Sequence, residues 1–276
     1  MIDAGAFART IAESLSPSVI TSDIRQTARQ ARREAQHFAR VLNAQAIYQA
    51  QLRRVARQVG EIINAYPIGD PAALAELQSL LEQYAQILRP WAYAAAQRMI
   101  AEVLRRDETA WMRHAAMIGV ELKREILGAT PLGDVMRRLV EDQVALITSI
   151  PIDAGRDVQA KSREYWTGGI RYDELRSYVL SRSPVTYNRA TLIARTETAK
   201  TASAVVQARA TYIGSTHYIW HSVRDRDVRR IHKQLDGTVH AWTDPPIAEE
   251  GGQRHHPGDF PNCRCYSEPI LPDIIT

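Results

Sequence analysis

Thr211-Tyr212-Ile213-Gly214-Ser215-Thr216-His217-Tyr218-Ile219-Trp220-His221-Ser222-Val223 is the stretch on which the reading of this chain turns. Ahead of it, a helical pattern from about Tyr187 to Tyr212 should stop at Gly214, a residue suited to the left-handed conformation that ends many helices. Beyond it the helical period gives way to short segments rich in aromatic, His, Gly and Pro residues. Thr216 to Val223 and Thr238 to Trp242 read as strands, and Cys265 to Leu271 as a third. Thr243 to Asn262 reads as a long polar loop, a feature that in a compact domain is usually functional or locally stapled.

Upstream, the pattern is helical throughout. From Ser22 to Ile63 there is no Pro, and apolar or small residues recur in steps of four and three: Ile24, Ala28, Ala31, Ala35, Phe38 and Leu42, then Leu52, Val55, Val59 and Ile62. Tyr66 to Pro71 breaks this helix, and Asp70 before Pro71 supplies a cap and a first-position proline for the next. The second helix, with Leu74, Leu77, Leu81, Tyr84 and Leu88, is expected to stop at Pro90. Another is expected from Trp91 to about Leu127, and a further one from Pro131 to Ile150, carrying Val135, Leu139, Ala145 and Leu146. Turns are expected at Gly168-Gly169 and between Ser181 and Pro184. The expected fold is therefore α+β: long helices over the N-terminal two-thirds, then a small module with a short sheet at about residues 215–276. An extended helical region over 1–130 would precede a domain over 131–276.

The 276 residues, 45% hydrophobic and 24% charged, are enough for one large domain or two small ones with a sizeable core. No window approaches the length of apolar residues a membrane span requires, and Met1 to Ala12 does not resemble a secretory leader, so the product is expected in a host cytoplasm. The net charge of +4 is uneven. Residues 1–60 hold nine Arg, no Lys and four acidic residues, an excess of five positive charges. Arg25, Arg29, Arg32, Arg33 and Arg40 fall in one band beside the apolar seam of the first helix, which favours an acidic partner such as DNA or an acidic protein surface. A solvated helix face is the plainer reading of the same stripe.

Six of the eight histidines lie in the last third, beside the only two cysteines, Cys263 and Cys265. One intervening residue leaves the two thiols poorly placed to staple distant parts of the fold by a disulfide. Imidazole and thiolate together suit Zn²⁺, and His232, His256, Cys263 and Cys265 are the expected ligands. The Cys-x-Cys spacing is tighter than the usual knuckle and calls for a turn in the backbone there. The alternative is that the thiols are small core hydrophobes and the histidines hydrogen-bonded side chains. Asp225, Asp227, His232 and His240 also allow a metal-dependent nuclease, although Asp225 and Asp227 serve equally as helix-capping carboxylates. No Gly-rich phosphate loop or nucleophile elbow is present in the sequence.

The order of these residues resembles a known family. Arg195, Glu197, Gly214, Trp220, Asp225 to Asp227, Arg229, His232, Leu235-Asp236-Gly237, His256-Pro257 and Pro261-Asn262-Cys263-Arg264-Cys265 are similar, taken together, to the phage Mu F-like head-morphogenesis family. The resemblance implies a minor head protein of a tailed phage or prophage, in the virion near the portal vertex. It would associate with the portal protein, with the major capsid or scaffold proteins of the prohead, and with packaged double-stranded DNA. It implies no enzymatic activity and no membrane, and it marks Arg195, Glu197, Trp220, Asp225, Asp227 and Gly237 as structural motif residues. Many relatives resemble each other in carrying Cys where this chain has Arg229 and His232; of these two only His232 can replace a ligand.

Overall fold

The computed structural model describes residues 42–118 and 131–270, with side chains over 42–108 and 133–270. The arginine stripe Arg25 to Arg40 and the expected boundary at residue 130 lie outside the described residues. A first helix, α1, covers residues 42–64. It is followed by α2 (Pro71–Ile118), α3 (Pro131–Trp166), α4 (Tyr172–Leu180) and α5 (Arg182–Tyr212). The C-terminal elements are β1 (His217–His221), α6 (Arg230–Leu235), β2 (Val239–Ala241) and β3 (Tyr266–Ile270). The architecture is thus mostly helical, with a small three-stranded antiparallel sheet near the C-terminus. No helix among the described residues is long and apolar enough to cross a membrane.

The turn into α2 forms as its sequence dictates. Asp70 Oδ1 accepts the Ala72 backbone N–H at 2.9 Å, and Pro71 opens the helix where no intrahelical N–H is needed. Trp166, at the far end of α3, donates its indole N–H to the Gly69 carbonyl at 3.1 Å and so pins this turn. Two expected breaks do not occur: α2 runs through Pro90 and α3 through Pro151. A proline costs an interior helix one hydrogen bond and some strain. The apolar face on either side outweighs that cost. Leu88, Ala92, Ala95 and Ala96 are buried around Pro90, and Ile147, Ile150, Ala154 and Val158 around Pro151. At Pro90 the carbonyl that loses its donor belongs to Gln86, an exposed residue.

The buried face of α3 also differs from the expected one. Leu139 is inside as expected, but Val140, Val144 and Ile147 are buried, while Ala145 is exposed and Leu146 only half-buried. Gln143 fixes this phase. It is fully buried, and its side-chain amide donates to Thr201 Oγ1 of α5 at 3.2 Å. Helix α3 packs along α2 and against α5, and Gly155 allows a close crossing, since a Cβ there would lie 3.1 Å from Leu81 Cδ1. Helix α1 joins the same core through Tyr48, Leu52, Val55, Val59 and Ile63, and Arg53 reaches Thr191 of α5 at 3.1 Å. A buried ion pair, Arg209 Nη1 to Asp107 Oδ2 at 2.5 Å, ties α5 to α2.

Helix α5 is the platform for everything that follows. It ends as read from the sequence: Gly214 has φ +88, its N–H bonds the Thr211 carbonyl, and the Ser215 N–H reaches back to Ala210 at 2.9 Å. These are the two bonds of a Schellman terminus. The chain then enters β1, the central strand of the order β2-β1-β3. His217 faces Ala241 on one side and Ile270 on the other. One face of this sheet closes over α5 around a compact core of Val206, Ala210, Tyr218, Trp220, Trp242 and Ala248, with Cys263 and Cys265 inside it.

Candidate metal centre

Each donor of the site is delivered by a different local device. Arg229 precedes α6, whose single turn carries His232 inward to 2% exposure, against the edge of Trp220 with ring centroids 5.3 Å apart. The thiols arrive through the Phe260-Pro261-Asn262-Cys263 turn. Its closing bond runs from the Cys263 N–H to the Phe260 carbonyl at 2.9 Å, and Asn262 takes φ +59. Proline second and a left-handed residue third is the pattern of a type II turn, and Asn tolerates that conformation better than most residues. Cys263 and Cys265 then lie on one face as alternate residues of an extended chain, so the required turn falls just before the pair. Arg264 points the other way, to Asp225 at 2.9 Å.

The three donors meet in the core. His232 Nδ1 lies 3.6 Å from Cys263 Sγ and 3.4 Å from Cys265 Sγ. With metal–sulfur bonds of about 2.3 Å and metal–nitrogen bonds of about 2.0–2.1 Å, the sulfur-to-nitrogen edge of a tetrahedral zinc site is about 3.6 Å. The buried His232, Cys263 and Cys265 group can therefore bind a metal ion with little movement. The two thiols are tightly linked. Cys263 is held well below the usual thiol range because Cys265 and His232 hydrogen-bond its thiolate, while the same thiolate and burial push Cys265 up. One negative charge is thus already favoured on the pair, and an ion that bound both sulfurs would displace the second proton.

His256 occupies a different place. Its Nδ1 lies 3.1 Å from the Tyr218 hydroxyl and its Nε2 3.4 Å from Gln207 Nε2, so both ring nitrogens face α5 and the sheet. The imidazole nearest to His232 is His255, whose Nε2 lies 3.7 Å from Glu249 Oε1. Glu249 Oε1 is also 3.4 Å from His232 Nε2 and 3.4 Å from Arg229 Nε. His232, Glu249 and His255 form a second close group of donors beside the first. Burial holds His255 and His256 below the usual imidazole range, hence neutral. Neither Glu249 nor His255 was singled out in the sequence. Each is half of a doublet, Glu249-Glu250 and His255-His256, and only the fold decides which half faces His232.

That decision is made by a small hairpin. Ile247 pairs with Arg254, and the Gly252 N–H closes a turn onto the Glu249 carbonyl at 3.0 Å. Helix α5 holds the rest of the loop. Arg195 Nη1 reaches Asn262 Oδ1 at 3.3 Å, Thr196 Oγ1 accepts the Asn262 N–H at 3.2 Å, and Gly258 packs on Ala199. Of the other motif residues, Glu197 is buried in α5 and Trp220 is fully buried in β1. Gly237 takes φ +80 and donates its N–H to the Trp220 carbonyl at 2.8 Å. Asp225 accepts the Asp227 N–H and pairs with Arg264.

In comparison with known proteins, residues 156–268 match the family described as Phage Mu protein F like protein. The chain carries a Mu F-like domain over residues 156–268. That span takes in the end of α3, the whole α5 platform, both thiols and the sheet up to the middle of β3. The chain is also 28% identical, over 153 residues, to an uncharacterized protein of Haemophilus influenzae. The aligned region is 55% of this chain and 33% of that protein, so the chain spans about a third of the relative's length. No solved structure matches.

Proposed function

We propose that this chain is a minor head protein of a tailed phage or prophage, acting without enzymatic activity in head morphogenesis. The observation that carries the reading is the Mu F-like domain, in which a three-stranded sheet and its loop are fastened to one long helix. Its partners are the portal protein and the major capsid or scaffold proteins of the prohead, and its place is the head near the portal vertex, reached from the host cytoplasm during assembly. The Arg25, Arg29, Arg32, Arg33 and Arg40 stripe contacts packaged double-stranded DNA or an acidic portal surface. The Mu F-like domain is stapled by Zn²⁺ on His232, Cys263 and Cys265.

The nuclease alternative finds no support in the positions of its four residues. Asp225 is engaged by Arg264, and Asp227 is largely exposed beside Arg226. His240 Nε2 is turned to Thr238 Oγ1 at 2.6 Å, and His232 faces the thiols. The four do not make up a donor group among the described residues.

The test is co-purification of the tagged full chain with the portal protein and proheads of the same phage, with zinc measured on the product. Association with one zinc per chain is the expected result. A protein that ignored portal and prohead yet cut DNA in divalent-metal buffer would overturn the reading. Charge reversal at Arg29, Arg32 and Arg33 that left both head incorporation and DNA retention unaltered would remove the role of the stripe.

A further inference from the structure

We propose that Glu249 is a positioning residue for the metal centre: its carboxylate holds the His232 proton on Nε2, leaving the Nδ1 lone pair aimed between the two thiols. This rests on the metal reading of His232, Cys263 and Cys265 and adds to it a residue outside the ligand set. A neutral imidazole carries one proton, and a nitrogen that binds a metal cannot carry it. Which nitrogen is free is therefore decided by what faces the other. His232 Nδ1 faces Cys263 Sγ and Cys265 Sγ at 3.6 and 3.4 Å, and Nε2 faces Glu249 Oε1 at 3.4 Å. The latter contact sits just beyond the usual hydrogen-bond range of about 2.7–3.2 Å. His232 Nε2 and Glu249 Oε1 are both buried, and neither makes a hydrogen bond elsewhere. A small rotation of either side chain satisfies both. A metal-bound histidine whose other N–H goes to a carboxylate is a general device for fixing ring orientation and raising ligand basicity.

Charge decides against a second ion in the neighbouring group of His232, Glu249 and His255. Arg229 Nε lies 3.4 Å from the same Glu249 oxygen, and its Nη2 donates to the Pro261 carbonyl at 2.9 Å. A fixed guanidinium thus already balances the one carboxylate present, and a cation placed between Glu249 and His255 would meet like charge within a few ångströms. The carboxylate is consequently an acceptor for the His232 ring N–H and the counter-charge of Arg229 rather than a metal ligand. Through Pro261 the same guanidinium also ties Glu249 to the turn that delivers Cys263.

The experiment compares the full-length wild-type chain with Glu249→Ala and Glu249→Gln. Zinc affinity is read by competition with a chromophoric chelator, and the tautomer of His232 by the ¹⁵N shifts of its ring in the zinc-loaded protein. Expected are one zinc per wild-type chain, bound through Nδ1 with the proton on Nε2, and a loss of about 10–100-fold in affinity for Glu249→Ala. Glu249→Gln keeps a neutral acceptor and should keep the tautomer with a smaller loss, which a merely structural role would not predict. An affinity for Glu249→Ala within twofold of wild type, or zinc on Nε2, would overturn the role of Glu249 while leaving the metal centre intact. Two zinc ions per wild-type chain would replace it with a bridging imidazole, and a wild-type chain that binds no zinc would sink the metal centre and this role together.

Discussion

Asp259 gives the sharpest quantitative handle on the loop that carries the thiols. It lies between His256 and the Phe260 turn, and burial pushes its carboxyl up to about 6 from an ordinary 3.8, against the opposing pull of the His256 backbone N–H and the Lys200 charge. At about 1.4 kcal/mol per tenfold change in proton affinity, a rise of this size amounts to about 3 kcal/mol, and screening at its partly exposed edge reduces it to about 2 kcal/mol. The folded chain holds this proton more tightly than the unfolded one. Below pH 3.8 both states are protonated and the full stability is present; between 3.8 and about 6 the unfolded chain releases its proton first and stability falls; above 6 the whole penalty applies. Asp259→Asn, which mimics the protonated acid, should match wild type near the bottom of this window. It should exceed wild type by about 2 kcal/mol above it, about 4–8 °C in melting temperature for a domain of this size. Urea unfolding followed by circular dichroism between pH 3.5 and 8 measures both proteins in the same buffers, so their difference isolates the carboxyl from every other titrating group. A difference that stayed flat with pH, or an Asn variant weaker than wild type above the window, would refute the argument.

Three other perturbations test separate parts of the structure. Asp107→Ala leaves the buried Arg209 guanidinium without its carboxylate between α2 and α5 and should cost about 3–5 kcal/mol by chemical denaturation, whereas an exposed pair such as Arg137 with Asp134 should cost less than about 1 kcal/mol. Gly258→Ala imposes a side chain at φ +89 and places its Cβ 3.2 Å from the Ala199 carbonyl oxygen, so a loss of about 1–2 kcal/mol or more is expected, read as a lower melting temperature. A strong chelator should lower the melting temperature of the wild-type chain and leave Cys265→Ser unaffected, because that variant has already lost one of the three donors that would hold the ion.

The large division of the chain was readable because the period of apolar residues changes abruptly at Gly214, and both the Schellman terminus and the three strands follow from that change. The Asp70-Pro71 helix start was readable for the same reason, being a local signal with a local cause. Pro90 and Pro151 misled because a proline's penalty is local, whereas the buried faces of α2 and α3 that outweigh it are built from other helices. Gln143 shifted the buried face of α3 in a way no periodicity contains, since its reason for being inside is Thr201, 58 residues away. At the site, the grouping of His232 with Cys263 and Cys265 was suggested by residue type alone. The assignment within the doublets Glu249-Glu250 and His255-His256 was not, because neighbours in sequence point to different surroundings and only the fold around the Ile247 to Arg254 hairpin fixes which one faces His232.

The stretch from 243 to 262 is held at two places by means of different kind, and this explains why so small a module can tolerate a loop of that length. Its outer half is anchored directly to α5 through Asn262 on Arg195 and Thr196, Gly258 on Ala199, and His256 beside Gln207. These contacts depend on a helix whose own burial is secured by α2 and α3, so they do not need a metal. The inner half, with Glu249 and His255, folds on its own hairpin and faces Arg229, His232 and the thiols, and there several buried polar atoms lack a hydrogen bond. Buried polar groups left in that condition are destabilising, and an ion held by Nδ1 and both sulfurs would relieve it by committing the Nε2 proton to Glu249. Arg229 is consistent with this division of labour: it cannot coordinate an ion, yet by balancing Glu249 and holding Pro261 it joins the half of the loop fastened by α5 to the half organised around His232.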